Sequence, residues 1–132
     1  MAQELNIEGR REFDNHALVV FLSDPAVGLR GFIAIHRGGL KHPSLGATRL
    51  WPYESETEAL DDALRLSRMM SYKSALAGLK YGGAKAALIA SPEALRDRVK
   101  FFRAYGRKLN YLGGRFITGT DVGVEDDDVA VM

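Results

Sequence analysis

The sequence predicts an α/β domain: a three-layer α/β/α sheet, mainly parallel after an initial antiparallel hairpin. Two observations carry that reading. Short apolar runs bounded by turn residues alternate with helical patterns, the order of a layered α/β fold. The first two runs are joined by the short turn Pro25-Ala26-Val27-Gly28, which fits a hairpin. Sheets of this class bind ligands at the carboxyl ends of their strands.

The elements follow in order. Residues 16–24 (HALVVFLSD) and 29–37 (LRGFIAIHR) are the hairpin strands, and a loop with Gly and His leads to a third strand at 46–53 (GATRLWPY). Ser55, with Glu58 three residues later, forms a capping box that opens a helix to about Ala77. Lys85 then begins the apolar stretch AALIA, ended by Ser91-Pro92; this is a strand buried on both faces. Ser91 as N-cap and Pro92 at the first helical position start a helix to about Leu112, which Gly113 and Gly114 stop. Residues 115–121 (RFITGTD) form the last strand. Glu125-Asp126-Asp127-Asp128 suits a first helical turn, because carboxylates complement the positive end of the dipole. Val129 to Met132 are too few to let that helix bury a face, so the sequence predicts a longer natural protein, cut at Met132.

Composition excludes several classes. The 132 residues fit one domain, and 27% charge with a net of +1 argues against a dedicated nucleic-acid binder. Without cysteine there is neither a disulfide framework nor a thiolate metal site. No apolar run approaches the roughly 18 residues of a membrane span, and the N-terminus lacks a signal-peptide core. A soluble, cytoplasmic domain without a metal is expected. His16, His36 and His42 lack ligand spacing and are read as structural. Arg96, Lys100, Arg103 and Arg107 lie opposite Leu95, Val99, Phe102 and Leu109, as a solvated face does.

Three side chains break the pattern. Lys85 opens a strand whose other residues are apolar, and an ammonium is costly to take out of water. Lys73 lies among Leu66, Met69, Met70 and Ala77 on its helix, away from the polar face. Asp121 ends a strand and is followed by Gly123. The plain alternatives are snorkelling lysines and a turn aspartate. Together, two cations and a carboxylate suit a zwitterion, with an ammonium on its carboxylate and the aspartate on its amine. Gly82-Gly83-Ala84-Lys85 is not a phosphate-binding P-loop, since Ala84 separates glycine from lysine and Ala86 stands where that motif needs a hydroxyl.

LGATRLWPY, ALRLSRMMSYKSALAGLKYGGAK and GRFITGTDVG resemble the N-terminal domain of the Glu/Leu/Phe/Val dehydrogenases over residues 17–132. Leu79, Gly82, Gly83, Ala84, Lys85, Ser91 and Pro92 fit the family's active-site signature. The resemblance implies reversible oxidative deamination of an L-amino acid to a 2-oxo acid and ammonia. In it Lys85 is the catalytic base on water, burial and a nearby cation favouring its neutral amine. Asp121 exchanges a proton with the substrate amine. Lys73 holds the α-carboxylate, and Leu45, Gly46, Met70 and Gly119 belong to the substrate pocket. Gly82 and Gly83 would let substrate or cofactor approach the backbone.

The resemblance also implies NAD, bound mainly by a C-terminal Rossmann domain for which this chain has no G-x-G-x-x-G unit, and a homo-oligomer joined through residues 1–132. Membranes and nucleic acid are not expected partners. Ala47, where the family usually has Gly, and Ser71, where it often has Thr, loosen the substrate assignment. Gly119 favours a phenylalanine-type pocket and ALAGLKYGGAK a leucine-type one. Two other readings stay open. One is a stand-alone, non-enzymatic module that binds amino acids or dimerises. The other is a pyridoxal phosphate enzyme with Lys85 as its Schiff base.

Overall fold

In the computed structural model, which describes residues 6–38 and 41–132, the apolar runs pair into one sheet. β1 (Leu18–Asp24) and β2 (Leu29–Ile35) form the expected hairpin, in register from Leu18↔Ile35 to Asp24↔Leu29. A 3₁₀ turn over Pro25–Val27 joins them, ending on Gly28 at φ 72°. The sheet order is β1-β2-β5-β3-β6, with β4 also beside β5. β5 (Gly82–Ile89) runs antiparallel to β2 and parallel to β3 and β4, while β6 (Phe116–Ile117) runs parallel to β3. Every strand but β2 therefore points the same way. The loop expected between β2 and β3 includes residues 39 and 40, outside the described residues.

The third expected strand is divided into β3 (Ser44–Leu45) and β4 (Thr48–Trp51). Both keep one register on β5, Leu45↔Gly83 and then Thr48↔Ala86, so they are one strand interrupted at Gly46 and Ala47. The last expected strand is mostly irregular, because beyond Ile117 its carbonyls serve β4 singly: Gly119 accepts from Thr48 N–H (3.0 Å) and Val122 from Leu50 N–H (3.0 Å).

Strand alternation gives the sheet two faces. Ile33 and Ile35 of β2 and Ala84, Ala86 and Leu88 of β5 pack with Phe101, Phe102 and Tyr105 of α3 (Arg98–Leu109). On the opposite face Phe32, Ala34 and Ala87 meet Leu60, Ala63 and Leu64 of α1 (Glu56–Leu76). Sheet between helices is the three-layer arrangement expected. Tyr105 is fully buried, and its hydroxyl is satisfied by Thr48 Oγ1 at 2.7 Å.

Ser55 caps α1 by accepting from Glu58 N–H (3.1 Å), but the Glu58 carboxylate reaches Glu54 N–H and not that of Ser55. The single helix expected from Pro92 to Leu112 is two, α2 (Pro92–Arg96) and α3. Asp97 leaves helical geometry (φ −143°, ψ 88°), and its side chain caps the second helix at Lys100 N–H (3.1 Å). Leu95 and Val99, expected on an apolar face, are consequently exposed. The acidic run does start a helix, α4 (Asp126–Val131), and contrary to expectation it docks. Val129, Val131 and Met132 join the α3-side core, and buried Asp128 pairs with Arg98 at 2.5 Å. Tertiary contacts hold the short helix where propensity would not.

His16 and His36 are structural, as expected, and tie the segment before β1 to α1. His16 Nε2 lies 2.8 Å from Leu64 O and 3.0 Å from Ser67 Oγ. His36 joins Asp14 Oδ2 and Ser71 Oγ, each at 2.8 Å. Ser71 Oγ in turn accepts from Gly83 N–H (3.0 Å). Arg10 forks onto Asp61 of α1 (2.9 and 2.7 Å), and Arg68 reaches Glu12 (3.0 Å).

Candidate active site

The site forms on the α1 face of the sheet, where α1 covers β2 and β5 but leaves β3, β4 and β6 open. Pairing places Leu45, Arg49 and Trp51 on this face beside Gly83, Ala87 and Ile89, with Lys85 between them. Lys85 lies inside β5 and does not begin it; the strand starts at Gly82. Its side chain is 7% exposed, and Nζ meets Asp121 Oδ2 at 2.8 Å. That rules out a snorkelling lysine. Only Asp121 stands near a strand's carboxyl end; the rest of the site lies across the sheet face.

Asp121 is not chiefly a turn aspartate. Its Oδ2 accepts from Lys85 and also from Arg49 Nε at 2.7 Å. Burial by itself would raise its pKa, but the ammonium and the guanidinium outweigh that and hold it down at about 2. Oδ1 receives no side-chain donor among the described residues, and the Val122 N–H adds a backbone donor that also draws the carboxylate pKa down. Behind Arg49 stands Asp62 of α1, 3.2 Å from Nη1, which also accepts from Tyr53 Oη (2.5 Å) and Arg65 Nη2 (2.8 Å). Burial pushes the Tyr53 phenol well above its ordinary range, and its bond to Asp62 pushes the same way, so it stays a donor.

A depressed carboxylate pKa is a stability statement. Asp121 contributes about 2 kcal/mol above the ordinary aspartate pKa near 4, and this is lost as pH falls through about 2. Urea melts of the native chain and of Asp121→Asn, at pH 5 and pH 2, check it. The native chain is expected to lose about 2 kcal/mol more than the variant over that interval; equal losses would refute the pairing.

Lys73 is in the last turn of α1 and exposed, and no ion pair involves it among the described residues. The apolar neighbours that made it anomalous are not core residues, Met69 being exposed and Leu66 and Met70 half-buried. Residues 62, 66, 69 and 73 share one helix face. Since Asp62 on that face reaches Arg49, Lys73 overlooks the same open strip of sheet, about three turns further along. It stands nearest the level of Ser71, Gly83 and Leu45.

The remaining expected pocket residues divide. Leu45 is half-buried on the open face. Gly119 has nothing within 4 Å of where a Cβ would sit, so it borders free space. Gly46 instead serves packing, since a Cβ there would fall 1.6 Å from Ala84 O. Gly82 and Gly83 are likewise not open to a ligand. Their Cβ positions lie 1.6 Å from Arg37 O and 2.0 Å from Ser71 N. Arg49 and Asp62 were not expected at the site. β4 is too short to display its alternation in the sequence, and it is the pairing with β5 that puts Arg49 on the face of Lys85. A cleft of about 480 Å³ adjoins the site, lined by Arg49, Trp51, Tyr53, Asp62, Arg65 and Val122 among others; neither lysine lines it.

A family model described as Glu/Leu/Phe/Val dehydrogenase, dimerisation domain, matches residues 16–132. The chain is 49% identical over 117 residues to a phenylalanine dehydrogenase of Bacillus thermotolerans, covering 89% of this chain and 30% of that protein. It is 50% identical over 117 residues to a valine dehydrogenase of Streptomyces coelicolor, covering 89% of the chain and 32% of that protein. The crystal structure of L-tryptophan dehydrogenase from Nostoc punctiforme superposes with a TM-score of 0.80 at 47% identity, over 88% of this chain and 34% of that one. The chain thus spans about a third of the length of the proteins it matches. Among the described residues no helix is long and apolar enough to cross a membrane.

Proposed function

Because this chain belongs to the Glu/Leu/Phe/Val dehydrogenase family, matching its dimerisation domain, we propose that it is the substrate-binding and oligomerising part of an NAD-dependent amino-acid dehydrogenase. The reaction converts an L-amino acid with a branched or aromatic side chain, and water, to a 2-oxo acid and ammonia, with NAD as the two-electron acceptor. One observation carries the proposal: a buried ammonium paired with a strongly ionised carboxylate on an open sheet face, with a second lysine on the helix alongside.

Each residue has a task set by its place. Lys73 reaches the α-carboxylate from the helix. Asp121 Oδ1 accepts a hydrogen bond from the substrate ammonium and passes its proton on to water, leaving the amine that can be oxidised; a carboxylate held at about 2 does not retain it. Lys85 removes a proton from the water that adds to the iminium carbon, and returns one so that ammonia departs. Leu45, Met70 and Gly119 border the side chain. Backbone of Arg37 and α1 fills the space beside Gly82 and Gly83, so these two glycines do not cradle a dinucleotide. The family resemblance assigns NAD mainly to a C-terminal Rossmann domain of the full-length protein. The proposal includes a cytoplasmic homo-oligomer, and the open edge of β1, with Leu18 and Phe21 exposed, suits a second copy.

The test is reduction of NAD by the full-length protein with leucine, valine, phenylalanine, tryptophan and glutamate in turn. Turnover with the first four and little with glutamate is expected; binding of amino acids with no turnover would favour a non-enzymatic module. Gly119→Ala then probes the pocket. With open space at the Cβ position, stability should change by less than about 0.5 kcal/mol. The ratio of kcat/KM for phenylalanine over valine should fall about tenfold. An unchanged ratio would remove Gly119 from the pocket.

A further inference from the structure

We propose that Arg49 is the positioning residue of Asp121, a permanent countercharge that allows Lys85 to give up its proton without stranding the carboxylate. This rests on the amino-acid dehydrogenase reading above. Lys85 and Arg49 share one oxygen, Oδ2, at 2.8 and 2.7 Å. If Lys85 were the sole partner, each proton it lost would leave a half-buried, unpaired aspartate, and the pair would resist the very step that makes Lys85 a base. A guanidinium does not deprotonate in proteins, so Asp121 keeps a cation through the cycle.

The surroundings fit that role. Three elements bring charged or titratable groups to the carboxylate: Lys85 from β5, Arg49 from β4 and, behind Arg49, Asp62 and Arg65 of α1 with Tyr53. Asp62 fixes the far side of the guanidinium at Nη1, leaving Nε for Asp121. Both side-chain donors sit on Oδ2, so neither occupies Oδ1. Arg49 touches Asp121 and acts through it.

The experiment has two arms. In the first, the Asp121 carboxylate of the chain is titrated by NMR in the native form, Arg49→Met and Arg49→Lys. The midpoint, about 2 in the native chain, should rise by about one unit or more in Arg49→Met and by less in Arg49→Lys. An unchanged midpoint in Arg49→Met would overturn the proposal. Should Arg49→Met not fold, Arg49→Gln, which keeps a donor for Asp62, gives the same reading. In the second, the pH profile of kcat in the full-length enzyme should move to higher pH by about one unit in Arg49→Met, with KM changing less than kcat. A uniform drop at every pH would mark Arg49 as structural only and also overturn the proposal. If the native protein shows no dehydrogenase activity, the proposed function fails, and the titration still decides the role of Arg49.

Discussion

Lys85→Ala in the full-length protein is expected to lower kcat by about 10³-fold or more, the range in which loss of a positioned general base falls. The fold should survive. Lys85 neighbours Ala84 and Ala86 in β5, and alanine keeps strand pairing with Ala34. Removing the ammonium does not strand Asp121, because Arg49 still holds Oδ2. The net stability change should stay within about 2 kcal/mol, since a lysine no longer has to be desolvated. Steady-state kinetics and a thermal melt decide it together. Near-normal turnover would end the assignment of Lys85, while loss of activity with loss of fold would show that alanine had tested packing instead. Lys85→Arg separates charge from proton transfer: it keeps the ion pair and should remain inactive.

The second large effect is Gly83→Ala. The added methyl would sit 2.0 Å from Ser71 N and 2.4 Å from Ser67 O, backbone atoms in the middle of α1 that cannot step aside singly. Relief requires α1 to lift from β5, opening the core of Phe32, Leu60, Ala63, Leu64 and Ala87. A cost above about 4 kcal/mol is expected, enough to unfold many domains outright. Urea denaturation measures it, with Gly119→Ala as the control for a methyl placed in free space. A Gly83→Ala chain as stable as the native one would mean that α1 does not sit this close.

Much of this was legible in the sequence, for identifiable reasons. Apolar runs and caps locate β1, β2, α1 and β5 because those segments owe their form to local pattern and burial. The resemblance pointed to Lys85 and Asp121, and the structure joins them. The misses come from interactions that pattern does not encode. Asp97 fits a polar helix face as well as it fits a cap, so the break between α2 and α3 is decided by its side chain finding Lys100 N–H. The glycines at 82 and 83 suggested room for a ligand, whereas the approaching backbone is the chain's own. Arg49 occupies a strand too short to display its alternation, and only pairing with β5 reveals its face. α4 looked too short to stand alone, and it does not stand alone.

The tether of the segment before β1 bears on where a working fragment can be cut. Family resemblance starts at residue 16, and an excision there would look safe by homology. Yet Asp14, Glu12 and Arg10 contribute partners to His36, Arg68 and Asp61. A clone trimmed to the homologous region would lose all three, and with them one end of the chain of bonds from Asp14 through His36 and Ser71 to Gly83, two residues from Lys85. The matched region and the unit of folding have different edges here, and β5 is anchored from the side that the match omits.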